Sequence, residues 1–226
     1  MADPTRYTLV QLTLIDLVCL ALVLGFMAIS WRIRGRGSAQ LFAWTMALSG
    51  FASILYMDFW YLGIHEFDAA KSLPLFWCDL IGLLAPLALV ARPRWMQTIT
   101  YFFAPPVLIA FFTPVGAFRP DWLGFWFFWW SHSLIVGAWM YLVLIRVYRP
   151  TIRDLMIALM VGTAYVMIML PVNWITGWNY GFIGKEGPPF FMGGWPWHVL
   201  AIQLLGMLLC VLLWWPLRQQ KTRPPP

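Results

Sequence analysis

The sequence predicts an all-α, polytopic membrane protein, a bundle of about seven transmembrane helices with its N-terminus outside and its C-terminus inside. Composition and patterning carry this. Hydrophobic residues make up 62% of the 226 and charged residues only 11%, where a soluble domain carries about 25% charge. Mean hydropathy is +0.73, and apolar runs near the roughly 20 residues needed to cross a hydrocarbon core recur along almost the whole chain. A single transmembrane domain, residues 1–226, is the expected organisation, because no polar stretch is long enough to make a soluble one.

The spans follow in order. The first, 8–31, is full length and lacks a basic n-region and an Ala-x-Ala site, so it is not expected to be a cleaved signal peptide. The second is 39–62 and the third 73–91, which opens on Leu73-Pro74-Leu75. The fourth, 98–112, is short and broken by Pro105-Pro106. The fifth is 123–145, the sixth 155–173 and the seventh 196–217. Between the last two, Trp174 to Trp195 is rich in glycine, asparagine and tryptophan. That composition suggests a folded cap or re-entrant piece over the outer mouth of the bundle.

Orientation follows from the cations. Arg32, Arg34, Arg36, Arg92, Arg94, Arg146, Arg149, Arg153, Arg218, Lys221 and Arg223 fall on one side of this scheme, and only Arg6, Lys71, Arg119 and Lys185 on the other. The richer side is cytoplasmic, which implies multi-pass insertion in the cell inner (cytoplasmic) membrane. The net charge of +6 thus reflects topology and anionic headgroups rather than nucleic acid. No basic and aromatic groove could form outside the bilayer.

Cys19, Cys78 and Cys210 all fall inside spans with no paired spacing, so neither a disulfide framework nor a zinc site is indicated. Cys19 and Cys210 read as small core hydrophobes. The sixteen tryptophans, including the run Phe125-Trp126-Phe127-Phe128-Trp129-Trp130, read mainly as interfacial belt and lipid-facing bulk.

Polar residues inside the spans are the informative ones: Asp16, Asp58, Asp79, His132 and Asn173. Burying a carboxylate in lipid costs about 2.5–3.5 kcal/mol on insertion scales, so such a group turns toward a bundle interior or a wet cavity. Measured from the outer ends of their spans at about 1.5 Å per residue, Cys78 and Asp79 lie roughly 8–9 Å deep, Asp16 and His132 roughly 12–14 Å, and Asp58 nearer 5 Å. All lie in the outer half, which points to one cavity open to the outer face. A lone membrane histidine serves equally well as a hydrogen-bond partner between helices, and Asp58 equally well faces outer water. Asp16 is deeper and expects a partner such as His132 or Asn173. His65 reads as solvated. His198, at the start of the last span, reads as interfacial or as closing the cavity.

Cys78 has a chemical reading. A thiolate is favoured near a helix N-terminus, and a histidine from another helix can take the thiol proton, the cysteine–histidine logic of acyl transfer. His132 is the only deep histidine, at comparable depth. A carboxylate beside a thiolate repels it, so Asp79 is better placed to orient the histidine or a structural partner.

Leu73-Pro74-Leu75-x-x-Cys78-Asp79-Leu80, Ser131-His132-Ser133-Leu134, and Asn173 followed by Asn179-Tyr180-Gly181-Phe182, Pro188 and Gly194-Trp195-Pro196-Trp197 together resemble the YwaF-like bacterial membrane proteins, relatives of eukaryotic transmembrane protein 164. The resemblance covers most of the chain with spans in matching order. It implies an intramembrane acyltransferase or lipid hydrolase, in which a cysteine and a histidine within spans move a fatty acyl chain between phospholipids. The distantly related androgen-induced hydrolases use threonine with histidine. Carried over, Cys78 is the nucleophile and His132 the base, with Asn173, Asn179 and Tyr180 shaping the site. The chain departs from the pattern in its short fourth span and its tryptophan-heavy fifth.

The leading expectation is therefore an enzyme acting on the acyl esters of membrane phospholipids through a Cys78 thioester, without a cofactor. Asp79, Asp16, Asn173, Asn179 and Tyr180 would contact substrate. The rival is a non-catalytic membrane protein: a small-molecule or proton-coupled transporter, or a structural subunit of a larger complex. Composition does not choose between a monomer, a homo-oligomer and such a complex. A retinal protein is excluded on the spans as drawn, since its Schiff base needs a lysine that no span contains. The topology is directly testable. A reporter fused after Lys221 is expected to read cytoplasmic and a tag at Met1 external, and a result placing both ends on one side removes the seven-span scheme.

Overall fold

The computed structural model describes residues 9–56, 69–91, 93–112, 123–188 and 193–217, and no strand occurs among them. Among the described residues seven helices of ten or more residues follow one another: α1 (Leu9–Ile33), α2 (Ser38–Leu55), α3 (Trp77–Val90), α4 (Arg94–Phe103), α5 (Leu123–Leu144), α6 (Ile152–Thr176) and α7 (Trp197–Leu217). Four of them, α2, α5, α6 and α7, contain stretches long and apolar enough to cross a membrane, and α1 and α3 contribute shorter apolar stretches. By contacts the chain divides into two compact units, Met1–Val147 and Tyr148–Pro226.

The first unit is built round α5, which touches α1, α2, α3 and α4. Close approach is bought with glycine. Gly82 of α3 accepts the Ile54 side chain of α2 where a Cβ would overlap it, and Gly50 of α2 leaves a Cβ position only 3.1 Å from the Pro86 ring of α3. These reciprocal small-residue contacts hold α2 and α3 side by side. The void left between α2, α3 and α5 round Gly50, Gly82 and Ile135 is about 10 Å³, roughly one water probe, so the three helices are tightly packed there. Polar anchors fix the helix ends: Tyr141 donates to the Ala39 carbonyl (3.1 Å) and Arg146 to the Leu89 carbonyl (3.0 Å).

Two helix starts differ from the sequence expectation. The third span was expected to be helical from Leu73, yet the helix begins at Trp77, because Phe76 is extended (φ −65°, ψ 148°) and acts as N-cap. The preceding Leu73-Pro74-Leu75 makes a tight turn, with Leu75 N donating to Leu73 O at 2.7 Å. Cys78 therefore stands in the first turn of its helix rather than the second. At 14 residues α3 is only about 21 Å long. The fourth span starts earlier, at Arg94 behind Pro93. It stops at Phe103 because Pro105 and Pro106 lack amide hydrogens. The chain continues as a 3-10 turn, Pro105–Leu108, and a single helical turn, Ile109–Phe112.

The second unit is a helical hairpin. Thr151 caps α6 in a reciprocal box, accepting from Asp154 N (3.2 Å) while Thr151 N donates to the Asp154 carboxylate (2.7 Å). The box extends the helix a turn ahead of the apolar run that begins at Leu155. Gly177, left-handed at φ 77°, ends it. Gln203 of α7 donates to Thr163 of α6 (2.9 Å), a satisfied polar tie between two apolar helices.

Gly137 tests the packing of α5. A Cβ there would lie 2.8 Å from the Phe26 ring of α1 and 3.1 Å from Met46 of α2. Gly137→Val is expected to destabilise the protein by about 1–3 kcal/mol through overpacking, read as a lowered Tm in detergent, whereas Gly206→Ala, with open space around it, should leave Tm near that of the parent.

Candidate functional site

The geometry of α3 and α5 governs Cys78 and His132. A Cβ on Gly82 would lie 3.4 Å from Ile135, and Leu89 meets Arg146 further along. Residue numbers rise together on the two helices, so they run parallel. One turn back from Gly82 and Ile135 brings Cys78 level with Ser131 and His132. The two candidate residues thus occupy adjacent parallel helices at one height. The hydrogen bond of the thiol goes to its neighbour, however: Cys78 Sγ donates to Asp79 Oδ1 at 3.6 Å. Among the described residues no hydrogen bond joins Cys78 to His132. Cys78 is half-buried, and Asp79 stands in the first turn of α3, where free amide N–H groups favour a negative charge.

His132 is 5% exposed. Its Nδ1 lies 2.9 Å from the Phe128 carbonyl. A carbonyl only accepts, so Nδ1 carries the hydrogen and Nε2 presents a lone pair. Ser131 donates to the same carbonyl at 2.9 Å, and the Phe128 ring stacks on the imidazole at 4.0 Å between centroids. Ring contact and hydrogen bond together fix the imidazole, and Nε2 has no hydrogen-bond partner among the described residues. Asp16 belongs to α1, but its side chain lies outside the described residues, as do Asp58 and His65.

In the second unit the asparagines organise the loop after α6. Asn173, buried within the helix end, donates to Tyr180 O (2.8 Å) and accepts from Tyr180 N (3.0 Å). One side chain thus takes the place of a paired backbone and holds Tyr180 fully buried. Asn179 does the same a step later, donating to Gly187 O (3.0 Å) and accepting from Gly184 N (2.9 Å). His198 is buried rather than interfacial, donating from Nε2 to Gly184 O (2.8 Å). Gly181, at φ 66°, brings its backbone against the Tyr165 hydroxyl. The described part of Trp174–Trp195 is therefore a folded cap. The Gly181–Gly184–Gly187 spacing is the sequence signal for the part His198 plays: each glycine lets backbone meet a side chain.

The aromatic run at the start of α5 divides. Trp126 is exposed at 52%, as expected of lipid-facing bulk, but Phe125 and Trp129 are buried against Ile15, Cys19 and Val23 of α1. The four-residue step puts both on the face that α1 covers. Cys19 and Cys210 are buried as expected.

An all-helical, multi-pass bundle with a thiol, a carboxylate and an imidazole level on neighbouring helices defines the class: a polytopic membrane protein with a polar constellation inside its helices. The chain belongs to the TMEM164 family, which it matches over residues 5–214. No curated protein and no solved structure matches it.

The cap can be tested apart from any activity. Asn173→Ala removes both hydrogen bonds between its side chain and the Tyr180 backbone, a cost of about 2–4 kcal/mol. Hydrogen exchange should then accelerate in peptides covering Trp178–Gly187 and stay unchanged in α2; an unchanged rate across the cap would show that Asn173 does not hold it.

Proposed function

We propose that this protein is an intramembrane lipid acyltransferase or hydrolase of the inner membrane, with Cys78 as nucleophile and His132 as general base in the outer half of the bilayer. The observation that carries the reading is the state of His132. Its Nδ1–H is spent on the Phe128 carbonyl, so its free lone pair is at Nε2, one helix across from the thiol and level with it. A general base needs an available lone pair in a fixed ring.

The chemistry balances with these groups alone. Cys78 gives its proton to His132 Nε2 while the sulfur adds to the ester carbonyl of a phospholipid. The ester C–O bond breaks, the leaving alkoxide takes the proton from the imidazolium, and a thioester remains. Water or the hydroxyl of a lysophospholipid then attacks the thioester and gives its proton to His132, the C–S bond breaks, and the released Cys78 thiolate takes that proton back from the imidazolium. In the resting protein Asp79 accepts the thiol hydrogen bond; it positions the sulfur until substrate brings the base into reach. Asn173, Asn179 and Tyr180 hold one another and the loop after α6 in the second unit. The same Cys78–Asp79 bond favours the rival, a non-catalytic protein in which the pair is structural.

Lipidomics of reconstituted vesicles separates them. Cys78→Ala is expected to abolish acyl exchange, and His132→Ala to slow labelling of Cys78 by an acyl-like electrophile by roughly 10²–10⁴. Asp79→Asn keeps the hydrogen-bonding shape without the charge and should retain most of the labelling. Full turnover by Cys78→Ala, or equal labelling with and without His132, would favour the non-catalytic rival.

A further inference from the structure

We infer that the turn joining α1 to α2 docks the headgroups of anionic phospholipids, held by Arg32, Arg34 and Arg36. The three arginines alternate along the turn, and all are exposed. The backbone that carries them is fixed. Arg34 N donates to Trp31 O (3.4 Å), Arg36 N to Ile33 O (2.9 Å) and Ala39 N to Arg36 O (3.1 Å), with Gly35 left-handed at φ 76°. The apolar stretch Leu17–Ile33 of α1 ends at this turn, and Ser38–Leu55 of α2 begins after it. A turn between two such helices lies where hydrocarbon gives way to headgroups. Trp31, Leu41 and Trp44 flank it, exposed at 64%, 71% and 48%. Indoles are favoured at that level of a bilayer, and the Arg34 guanidinium lies 5.8 Å from the centre of the Trp31 ring. Apolar flanks of this kind seat in lipid, so the groups within reach of the guanidiniums are headgroups rather than a soluble protein.

The charge of the turn has no counterpart on the helices around it. No acidic residue occurs between Asp16 and Asp58. Asp16 lies about 25 Å back along α1 from Ile33. Asp79 is at the far end of α2: Ile54, about 24 Å along that helix from Ser38, packs on Gly82 in the turn of α3 that follows Asp79. Both separations exceed the Debye length of about 8 Å at physiological ionic strength, and α4 and α5 contain no carboxylate. In the second unit Asp154 is buried and accepts from Thr151. A guanidinium pairs with phosphate oxygens in a two-pronged fork. A zwitterionic headgroup carries its own ammonium beside that phosphate, whereas an anionic headgroup leaves a net negative charge for the arginines to meet. The turn therefore selects the anionic lipid.

The test uses the full chain in nanodiscs of phosphatidylcholine with a minority of phosphatidylglycerol, where both leaflets have one composition and orientation does not matter. Either lipid carries a diazirine close to its headgroup. At equal probe fractions, the phosphatidylglycerol probe should label peptides spanning Trp31–Trp44 in excess of the phosphatidylcholine probe. Arg34→Gln should lower that excess by about fivefold, the factor that about 1 kcal/mol per arginine sets. Replacing Arg32, Arg34 and Arg36 together by glutamine should abolish it. The triple lysine replacement keeps the charge and should keep most of the excess, which separates lost charge from a folding defect. Salt at about 1 M should also shrink it. Cys78→Ala should leave the excess as it is, so the inference stands apart from the acyl-transfer reading. Equal labelling by the two probes, or an excess unmoved by both glutamine variants, overturns the inference. So does an equal excess over Trp174–Trp195, whose single cation is Lys185, since the preference would then not belong to the turn. Loss of the excess on adding inorganic phosphate at constant ionic strength overturns it as well, because the turn would then be a site for a free anion.

Discussion

The first unit is organised by the need to cover α5. Ser131, His132, Ser133 and Tyr141 lie in one otherwise apolar helix, and each would be costly against hydrocarbon. The remedy is enclosure. Helices α1 to α4 and the turn Pro105–Leu108 all touch α5, and 61% of its apolar stretch is buried, against 17% and 11% for α6 and α7. Inside that enclosure Ser131 and His132 both bond to the single carbonyl of Phe128 in their own helix, while Tyr141 reaches across to the Ala39 carbonyl of α2. The same bond that makes the histidine tolerable in an apolar interior also decides which of its nitrogens is left for chemistry.

The helices were largely readable from apolar runs, because hydrophobic length is what a bilayer selects. Their ends were less so. The polar first turn of α6, Ile152 to Asp154, lies ahead of its apolar run and is helical because Thr151 and Asp154 cap each other. Hydrophobicity carried the third span through Leu73-Pro74-Leu75, whereas backbone geometry begins the helix at Trp77. The aromatic run of α5 could not be divided by composition. Phe125 and Trp129 are core only because α1 lies across that face, and their neighbour Trp126 faces outward.

The polar groups within the helices were readable in the sequence, but their pairings were not. Cys78, Asp79, His132 and Asn173 stand out in any sequence as polar groups in apolar surroundings. That the thiol bonds to the adjacent carboxylate, and that the histidine ring is held by a carbonyl four residues back, depends on side-chain directions that spacing does not specify. The cap was legible as a glycine-rich loop, whereas its rigidity comes from asparagine side chains standing in for backbone partners.

The shortness of α3 has a consequence for the bilayer itself. A helix of 14 residues falls roughly 9 Å short of a hydrocarbon slab about 30 Å thick. Such hydrophobic mismatch is relieved by local thinning, which draws the glycerol backbone of adjacent lipids inward toward the turn where Cys78 sits. On the acyl-transfer proposal, ester carbonyls would then meet the sulfur at their own natural level in the deformed leaflet, and no phospholipid would have to be lifted out of the membrane to react.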